Sequence, residues 1–237
     1  MNYLTDNEIH KICKEYGIEN YTINNDGSID VDGYVDLSER GLTKLPLKFN
    51  HVSGSFHCRD NNLTTLEFSP KSVGGNFSCS WNNLTTLEFS PKSVGGGFYC
   101  VDNNLTTLEF SPKSVGGDFS CSWNNLTTLE FSPKSVGGYF SCHNNKLTTL
   151  EGGPQSVGGN FDCRYNKLTT LEGGPKSVGN FNCSYNILTT LEGGPQSVGG
   201  NFKCIDNPIY YKLGFIDYKS YIKQINRDKI LNELLNR

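Results

Sequence analysis

The sequence predicts one elongated α/β solenoid that is mainly β, and a repeat with a fixed period is the main reason. The stretch LTTLEFSPKSVGG occurs four times unchanged and is followed by three degraded copies, the seven beginning at Leu63, Leu84, Leu105, Leu126, Leu147, Leu168 and Leu188. The insert between copies reads x-F-x-C-x-x-N-x, and its phenylalanines lie 21 residues apart except for one step of 20. Because Phe and Cys alternate with polar residues, we expect one short strand per coil, centred on the Phe-x-Cys segment.

The shortest copy carries a resemblance to a known family. Residues 178–188 read VGNFNCSYNIL, which fits the pattern L-x-x-L-x-L-x-x-N-x-L. The chain resembles leucine-rich repeat proteins of the short bacterial and phage type over residues 31–209, with Phe and Cys where Leu is usual. It is also similar to uncharacterised tailed-phage proteins with Val-Gly-Gly arrays. The resemblance implies a horseshoe with short parallel strands on its concave face and a helical cap at each end.

Residues 1–30 are predicted to form the N-terminal cap. An amphipathic helix over residues 5–16 is indicated by a capping box between Thr5 and Glu8 and by one apolar stripe. A turn signal, Asn-Asp-Gly, then lies between two short apolar runs and predicts a β-hairpin. Together these elements are expected to cover the open end of the core.

Residues 31–209 are predicted to form about nine coils whose interior columns are Val, Phe, Cys, Asn and Leu. Each interior Asn is expected to bond backbone groups of its own and the adjacent coil. Eight of the nine cysteines share one inward position, where reduced thiols act as small apolar groups. A column of soft-metal ligands is the alternative for these cysteines. Reduced thiols suit a reducing cytoplasm.

Residues 210–237 are predicted to form a C-terminal cap of two short amphipathic helices, separated near Asn226. The alternative for this segment is a helix that docks a partner.

Composition narrows the classes of function. A net charge of −3 argues against a nucleic-acid or anionic-membrane surface, which would need a basic excess. No window is apolar enough to span a membrane, and the N-terminus lacks a secretion signal, so we expect a cytoplasmic protein, in the host cytoplasm if phage-encoded. No phosphate loop, paired-Cys spacing or nucleophile elbow occurs, so neither catalysis nor a cofactor or metal is expected.

Substitutions concentrate in the strand and in the turn after it, whereas the thirteen-residue stretch is copied. The varied positions are expected on the concave face, and their amphipathic aromatic residues are typical of protein-binding patches. The candidate partner-binding residues are Trp81, Tyr99, Asp102, Trp123, Tyr139, His143, Arg164, Tyr165 and Tyr185. The alternative is that Trp81 and Trp123 merely cover the Asn turn.

The opposite, convex side carries columns of charge in its copied stretch. The two columns are Glu67, Glu88, Glu109 and Glu130, and Lys71, Lys92, Lys113 and Lys134. We expect them to form a solvated, mutually compensating surface and not a site. The sequence therefore predicts a non-catalytic binding protein that recognises another protein of unknown identity, a host protein if the chain comes from a phage. The alternative is a structural or self-assembling scaffold component.

Overall fold

A computed structural model describes residues 4–213 together with Tyr218, Ser220, Tyr221, Lys223 and Arg227. The fold is a mainly β solenoid of about eight turns, with parallel strands spaced by about 21 residues and little helix. This confirms the solenoid, its period and its parallel strands.

One sheet is formed by the Phe-x segments and is called the Phe sheet below. Its nine strands are Val35–Asp36, Phe56–His57, Phe77–Ser78, Phe98–Tyr99, Phe119–Ser120, Phe140–Ser141, Phe161–Asp162, Phe181–Asn182 and Phe202–Lys203. Neighbouring strands pair in parallel with each Phe opposite the next, as Phe119 is with Phe140. The strands therefore stack in the order of the sequence.

A second sheet, the Val sheet, was not predicted. Its eight strands are Tyr21–Ile23, Ile29–Val31, Phe49–Val52, Ser72–Val73, Ser93–Val94, Ser114–Val115, Ser135–Val136 and Ser156–Val157. The first two form the predicted antiparallel hairpin, and the others pair in parallel. The expectation of one strand per coil was therefore wrong, because each regular coil contributes a strand to both sheets.

The Gly-Gly pair between the two strands of a coil lets the chain turn tightly against the coil below. A Cβ atom on Gly95 would lie 2.2 Å from the carbonyl oxygen of Gly74, much closer than any real contact. Only glycine fits where successive backbones approach in this way. The corner therefore fixes the separation of the Phe and Val sheets.

The Val sheet is interrupted between Ser156–Val157 and Ser177–Val178, which are 21 residues apart, whereas pairing continues across the 20-residue step from Ser177 to Ser197. Ser177–Val178 and Ser197–Val198 form a separate two-stranded sheet, whereas the Phe sheet continues without a break. The coil that contains Ser177–Val178 has one corner glycine, Gly179, where the coils on either side have two. The amide of Gly179 donates to the carbonyl of Gly159 at 2.8 Å. The loss of one residue is thus absorbed at the corner.

The core consists of columns that run from coil to coil. The eight phenylalanines from Phe56 to Phe202 stack with ring centroids 5.1–5.8 Å apart. All nine cysteines carry free thiols, and seven in the array donate to a carbonyl of the next coil at 3.4–3.6 Å. Burial raises the pKa of Cys121 to about 12, which keeps this thiol protonated and favours the predicted reduced column over thiolate ligands.

The Asn column confirms the expected backbone network. Asn124 Oδ1 accepts from the amide of Leu105 at 3.0 Å, and its Nδ2 donates to Cys100, Cys121 and Ser122 carbonyls at 2.9–3.1 Å. Each carboxamide therefore ties its own coil to the preceding one. These bonds satisfy polar groups that would otherwise be costly to bury.

The N-terminal helix spans Asp6–Tyr16, as predicted. Thr5 accepts from the amide of Glu8 and the Glu8 side chain accepts from the amide of Thr5, while Gly17 ends the helix in the left-handed conformation. Ile9 and Cys13 of this helix are fully buried in the same core as the coils.

The chain after the last strand begins its helix earlier than expected. A helix spans Pro208–Leu213, and Tyr218, Ser220, Tyr221, Lys223 and Arg227 are also helical. Proline suits the first helical position because it has no amide hydrogen to leave unpaired. The second predicted helix lies outside the described residues.

Candidate functional site

The candidate site lies on the outward face of the Phe sheet and along the turn that follows it. At the second position after each Cys the backbone is left-handed, with φ of 53–57° in every coil, and this position holds Asp60, Trp81, Asp102, Trp123, Asn144, Tyr165, Tyr185 and Asp206. Asp and Asn tolerate this conformation, whereas bulky residues do so at a cost. The four aromatic residues among them, called the aromatic edge below, are 42–55% exposed.

The aromatic edge has two parts. Trp81 and Trp123 stand two coils apart with Asp102, also exposed, between them. Tyr165 and Tyr185 occupy adjacent coils and stack with ring centroids 4.3 Å apart and planes 6° from parallel. The predicted residues of this column therefore form one row of exposed, largely aromatic side chains.

Asp162 is the centre of a polar cluster beside the aromatic edge. Its carboxylate accepts a hydrogen bond from the Tyr139 hydroxyl at 3.0 Å. Its Oδ2 lies 3.0 Å from Arg164 Nε, an ion pair in which the N–H does not point along the line between the two atoms. Asp162 is only 5% exposed, so this charge is held by neighbours and not by bulk water. Sequence reasoning placed Tyr139 and Arg164 in the site but missed the carboxylate that joins them.

His143 joins this cluster to a pair of buried hydroxyls. Its Nδ1 lies 2.7 Å from Ser141 Oγ, 2.9 Å from Ser122 Oγ and 3.9 Å from Asp162 Oδ2. Burial lowers the pKa of His143, an effect that the nearby Asp162 only partly offsets. The ring of Trp123 meets the imidazole edge-on, with centroids 6.4 Å apart.

Ser, His and Asp side chains here do not have the arrangement of a catalytic triad. In a triad the serine and the carboxylate approach opposite nitrogens of the imidazole. One nitrogen accepts the serine proton, and the carboxylate at the other stabilises the imidazolium that forms. Ser141 and Asp162 both lie on the Nδ1 side of His143. The cluster therefore positions polar groups on the surface without the geometry that activates a nucleophile.

Tyr99 lies flat against the sheet instead of projecting from it. A Cβ atom on Gly97 would fall within 2.5–2.7 Å of the Tyr99 ring, so the absence of a side chain at Gly97 makes room for the tyrosine. The Tyr99 hydroxyl donates to Asp118 at 3.3 Å. Both Tyr99 and Tyr139 are half-buried, and they present less surface to a partner than the aromatic edge does.

A shallow cleft of about 250 Å³ continues the surface toward the C-terminal coils. It is lined by Tyr139 and Asp162 at one side and Lys203 at the other, with asparagines between them. Amide side chains there bridge neighbouring coils, as when Asn180 Nδ2 donates to Asn160 at 2.8 Å. The cleft is therefore polar, although the two tyrosines of the aromatic edge are exposed in the same coils.

Sequence reasoning missed a row of exposed phenylalanines on the side with the charged columns. Phe68, Phe89, Phe110 and Phe131 are 40–57% exposed and have φ of 66–74°. The signal was visible in the sequence, because the degraded copies have Gly152, Gly173 and Gly193 at the same position. These four residues are called the Phe row below.

No protein-family model matches the chain, and no curated protein sequence matches it. Within the described part of the chain, no group of three or more His, Cys, Asp or Glu side chains could hold a metal ion. Among the described helices, none combines the length and the hydropathy that a membrane crossing requires.

Proposed function

We propose that the chain is a non-catalytic solenoid of the leucine-rich repeat class that binds another protein through the outward face of the Phe sheet. In this proposal the array is a horseshoe with that face on its concave side. The N-terminal helix and the segment after Pro208 close its two ends. The partner is a host protein in the bacterial cytoplasm if the chain is phage-encoded.

The observation that carries the proposal is the aromatic edge. At one backbone position, four coils use Asp or Asn, which the left-handed conformation tolerates, and four use Trp or Tyr. Holding a bulky residue there costs on the order of 1 kcal/mol or more, and about half of each aromatic side chain remains exposed to water. Folding alone favours Asp or Asn at this position, and stacking within the chain accounts for the Tyr165–Tyr185 pair. The half-exposed Trp81 and Trp123 are explained by contacts made outside the chain.

Two further features support recognition of a protein. The buried Asp162, held by Tyr139 and Arg164, gives a rigid polar group beside the exposed rings. Interfaces combine aromatic anchors with such fixed polar neighbours, and pre-organised side chains lose little entropy on binding. The turn at the aromatic edge is rigid because Asn124 and its equivalents bond its backbone carbonyls.

The experiment begins with affinity capture from the native host lysate and continues with calorimetry on the captured protein. The variant Trp81→Asp with Trp123→Asp copies Asp102 and keeps a residue that suits the backbone conformation. We expect it to weaken binding at least 100-fold, as loss of hot-spot aromatics does, with a melting temperature that is equal or higher because the backbone strain is relieved.

The matched control changes the other side of the same coils. Phe89→Gly with Phe110→Gly copies Gly152 and should leave this binding intact. If the Phe variant abolished binding and the Trp variant did not, the binding face would be misassigned.

A further inference from the structure

The residues of the Phe row lie in turns whose backbone conformation favours glycine. In each coil the amide after the Phe bonds the carbonyl three residues back, as Ser90 does to Leu87 at 2.9 Å. This places Phe89 third in a four-residue turn with positive φ, the position that Gly fills in such turns. The degraded copies make the same turn with glycine, as Gly153 does to Leu150 around Gly152. The turn therefore forms without phenylalanine.

Side-chain hydrogen bonds link the turns that carry Phe89, Phe110 and Phe131. Ser90 Oγ donates to the carbonyl of Phe110 at 2.8 Å, and Ser111 Oγ donates to that of Phe131 at 2.6 Å. These serines are replaced by glycine in the degraded copies, as at Gly153. These bonds fix the backbone spacing of the turns that carry Phe89, Phe110 and Phe131.

Open depressions separate successive rings of the row. One of about 440 Å³ lies between Phe68 and Phe89, and one of about 580 Å³ lies between Phe89 and Phe110. Their rims are charged, with Glu88 and Lys92 lining the second. A contiguous exposed apolar patch with a polar rim marks an interaction surface.

Along each coil the Glu column precedes the Phe row and the Lys column follows it. In one coil the chain passes Glu88, then Phe89, then Lys92, and the coils stack in register, so the three positions form three parallel columns. All eight carboxylate and ammonium residues of the two columns are exposed. None of the ion pairs found among the described residues involves either column. Both sets of charge are therefore available to a partner.

Symmetry decides what fits such a surface. Rotation by 180° about an axis along the Phe row places a second copy face to face with the first, with the arrays parallel. It exchanges left and right, so each Glu column faces the partner's Lys column and the Phe rows face each other. Rotation about the perpendicular axis in the interface makes the arrays antiparallel and sets Glu against Glu. Like charges opposed in this way disfavour the antiparallel pair.

We propose that the Phe row, flanked by its Glu and Lys columns, is the contact surface of a parallel two-fold dimer of this chain. The surface is complementary to itself, which is the condition for a two-fold interface. It is limited to four coils, because all three degraded copies have Gly in place of the Phe, and two of them also replace the Lys by Gln, at Gln155 and Gln196. The dimer leaves the aromatic edge free and does not depend on the function proposed above.

The first test is sedimentation over a wide concentration range at low salt. The unaltered chain is expected to show a monomer–dimer equilibrium. Phe89→Gly with Phe110→Gly, which copies Gly152, should raise the dissociation constant at least 100-fold while the chain stays folded. Trp81→Asp with Trp123→Asp is the matched control and should change it less than twofold. A chain that stays monomeric to millimolar concentration, or a Phe variant that dimerises normally, would overturn the proposal.

A charge exchange tests the orientation. The swapped variant carries Glu88→Lys, Glu109→Lys, Lys92→Glu and Lys113→Glu, and it stays complementary to itself in the parallel pair. A parallel dimer predicts that the unaltered and swapped chains each self-associate but do not mix, because mixing sets Glu against Glu. An antiparallel dimer predicts the reverse, so mixed dimers between fluorescently labelled copies of the two chains would overturn the parallel arrangement.

Discussion

The ring of Tyr218 stacks on that of Phe202, with centroids 3.7 Å apart and planes 4° from parallel. Its hydroxyl donates to the carbonyl of Pro195 at 2.8 Å, and the side chain is 8% exposed. The stack of rings that begins at Phe56 therefore ends on a residue from the segment after the coils. Without Tyr218 the last phenylalanine would present a face to water.

Tyr218→Ala is expected to destabilise the C-terminal coils by about 3 kcal/mol, since it removes a large buried aromatic side chain. Tyr218→Phe keeps the stack and loses one hydrogen bond, for a cost of about 1 kcal/mol. Urea unfolding measures both values, and hydrogen exchange should localise the loss to the last coils, as expected of an array with nearest-neighbour contacts. Equal effects of the two changes would show that the stack does not matter.

Substitution of an Asn in the column should lower the free energy of unfolding equally in the middle and at the end of the array. Asn207 makes the same bonds as Asn124, to the amide of Leu188 and to the carbonyls of Cys183, Cys204 and Ile205. All of these groups belong to its own coil or to the preceding one, so the end position lacks no partner.

Asn124→Ala and Asn207→Ala are therefore each expected to cost about 1–3 kcal/mol in free energy of unfolding, because several backbone groups lose their partner. The exposed Asn104 serves as the control position, and Asn104→Ala should change stability by less than about 0.5 kcal/mol. If only Asn124→Ala lowered the free energy of unfolding, the coil that follows each Asn would also contribute to its hydrogen-bond network.

The column of buried cysteines predicts that the fold loses stability at alkaline pH. Burial raises the pKa of Cys79 and of Cys121 to about 12, whereas an unfolded thiol has its usual value of 9.0. Stability from these thiols is complete below pH 9, where both states are protonated. It is lost as the pH rises from about 9 toward 12, because only the unfolded chain releases the proton there.

Each such thiol should contribute a loss of about 1.4 kcal/mol per pH unit within that window. Urea midpoints at pH 8 and pH 10, with reductant present, measure the sum. Cys121→Ala should reduce the difference between the two pH values by about 1.4 kcal/mol, although it lowers stability at both. An unchanged difference would contradict protonated, buried thiols.

The elements that sequence alone predicted are those in which one residue type has one physical role. The capping box of Thr5 and Glu8 defined the helix, and the inward alternation of Phe and Cys defined the Phe sheet. The Val sheet was not predicted because Ser-Val has a single apolar residue before the Gly-Gly pair and so shows no alternation, whereas Phe-x-Cys does. Such a strand exists only when identical coils are stacked, so no local pattern indicates it.

In the candidate site, too, sequence predicted some features and not others. Exposure of Trp81 and Trp123 followed from their place in the repeat, whereas the half-burial of Tyr99 and Tyr139 did not. Their hydroxyls reach Asp118 and Asp162, 19 and 23 residues farther along the chain. Such contacts depend on which coils become neighbours and on free space at Gly97, and neither is visible in the alternation of one strand.

The corner at Gly179 accommodates the loss of one residue, and this limits how the gene can change in length. Every contact between regular coils repeats at an offset of one whole repeat, so recombination between copies can add or remove complete coils without altering the contacts that remain. The loss of one codon is accommodated at the corner before Phe181, where one glycine is missing and the strands of neighbouring coils still pair. Array length is thus free to vary in whole units, while the segments at the two ends must be kept.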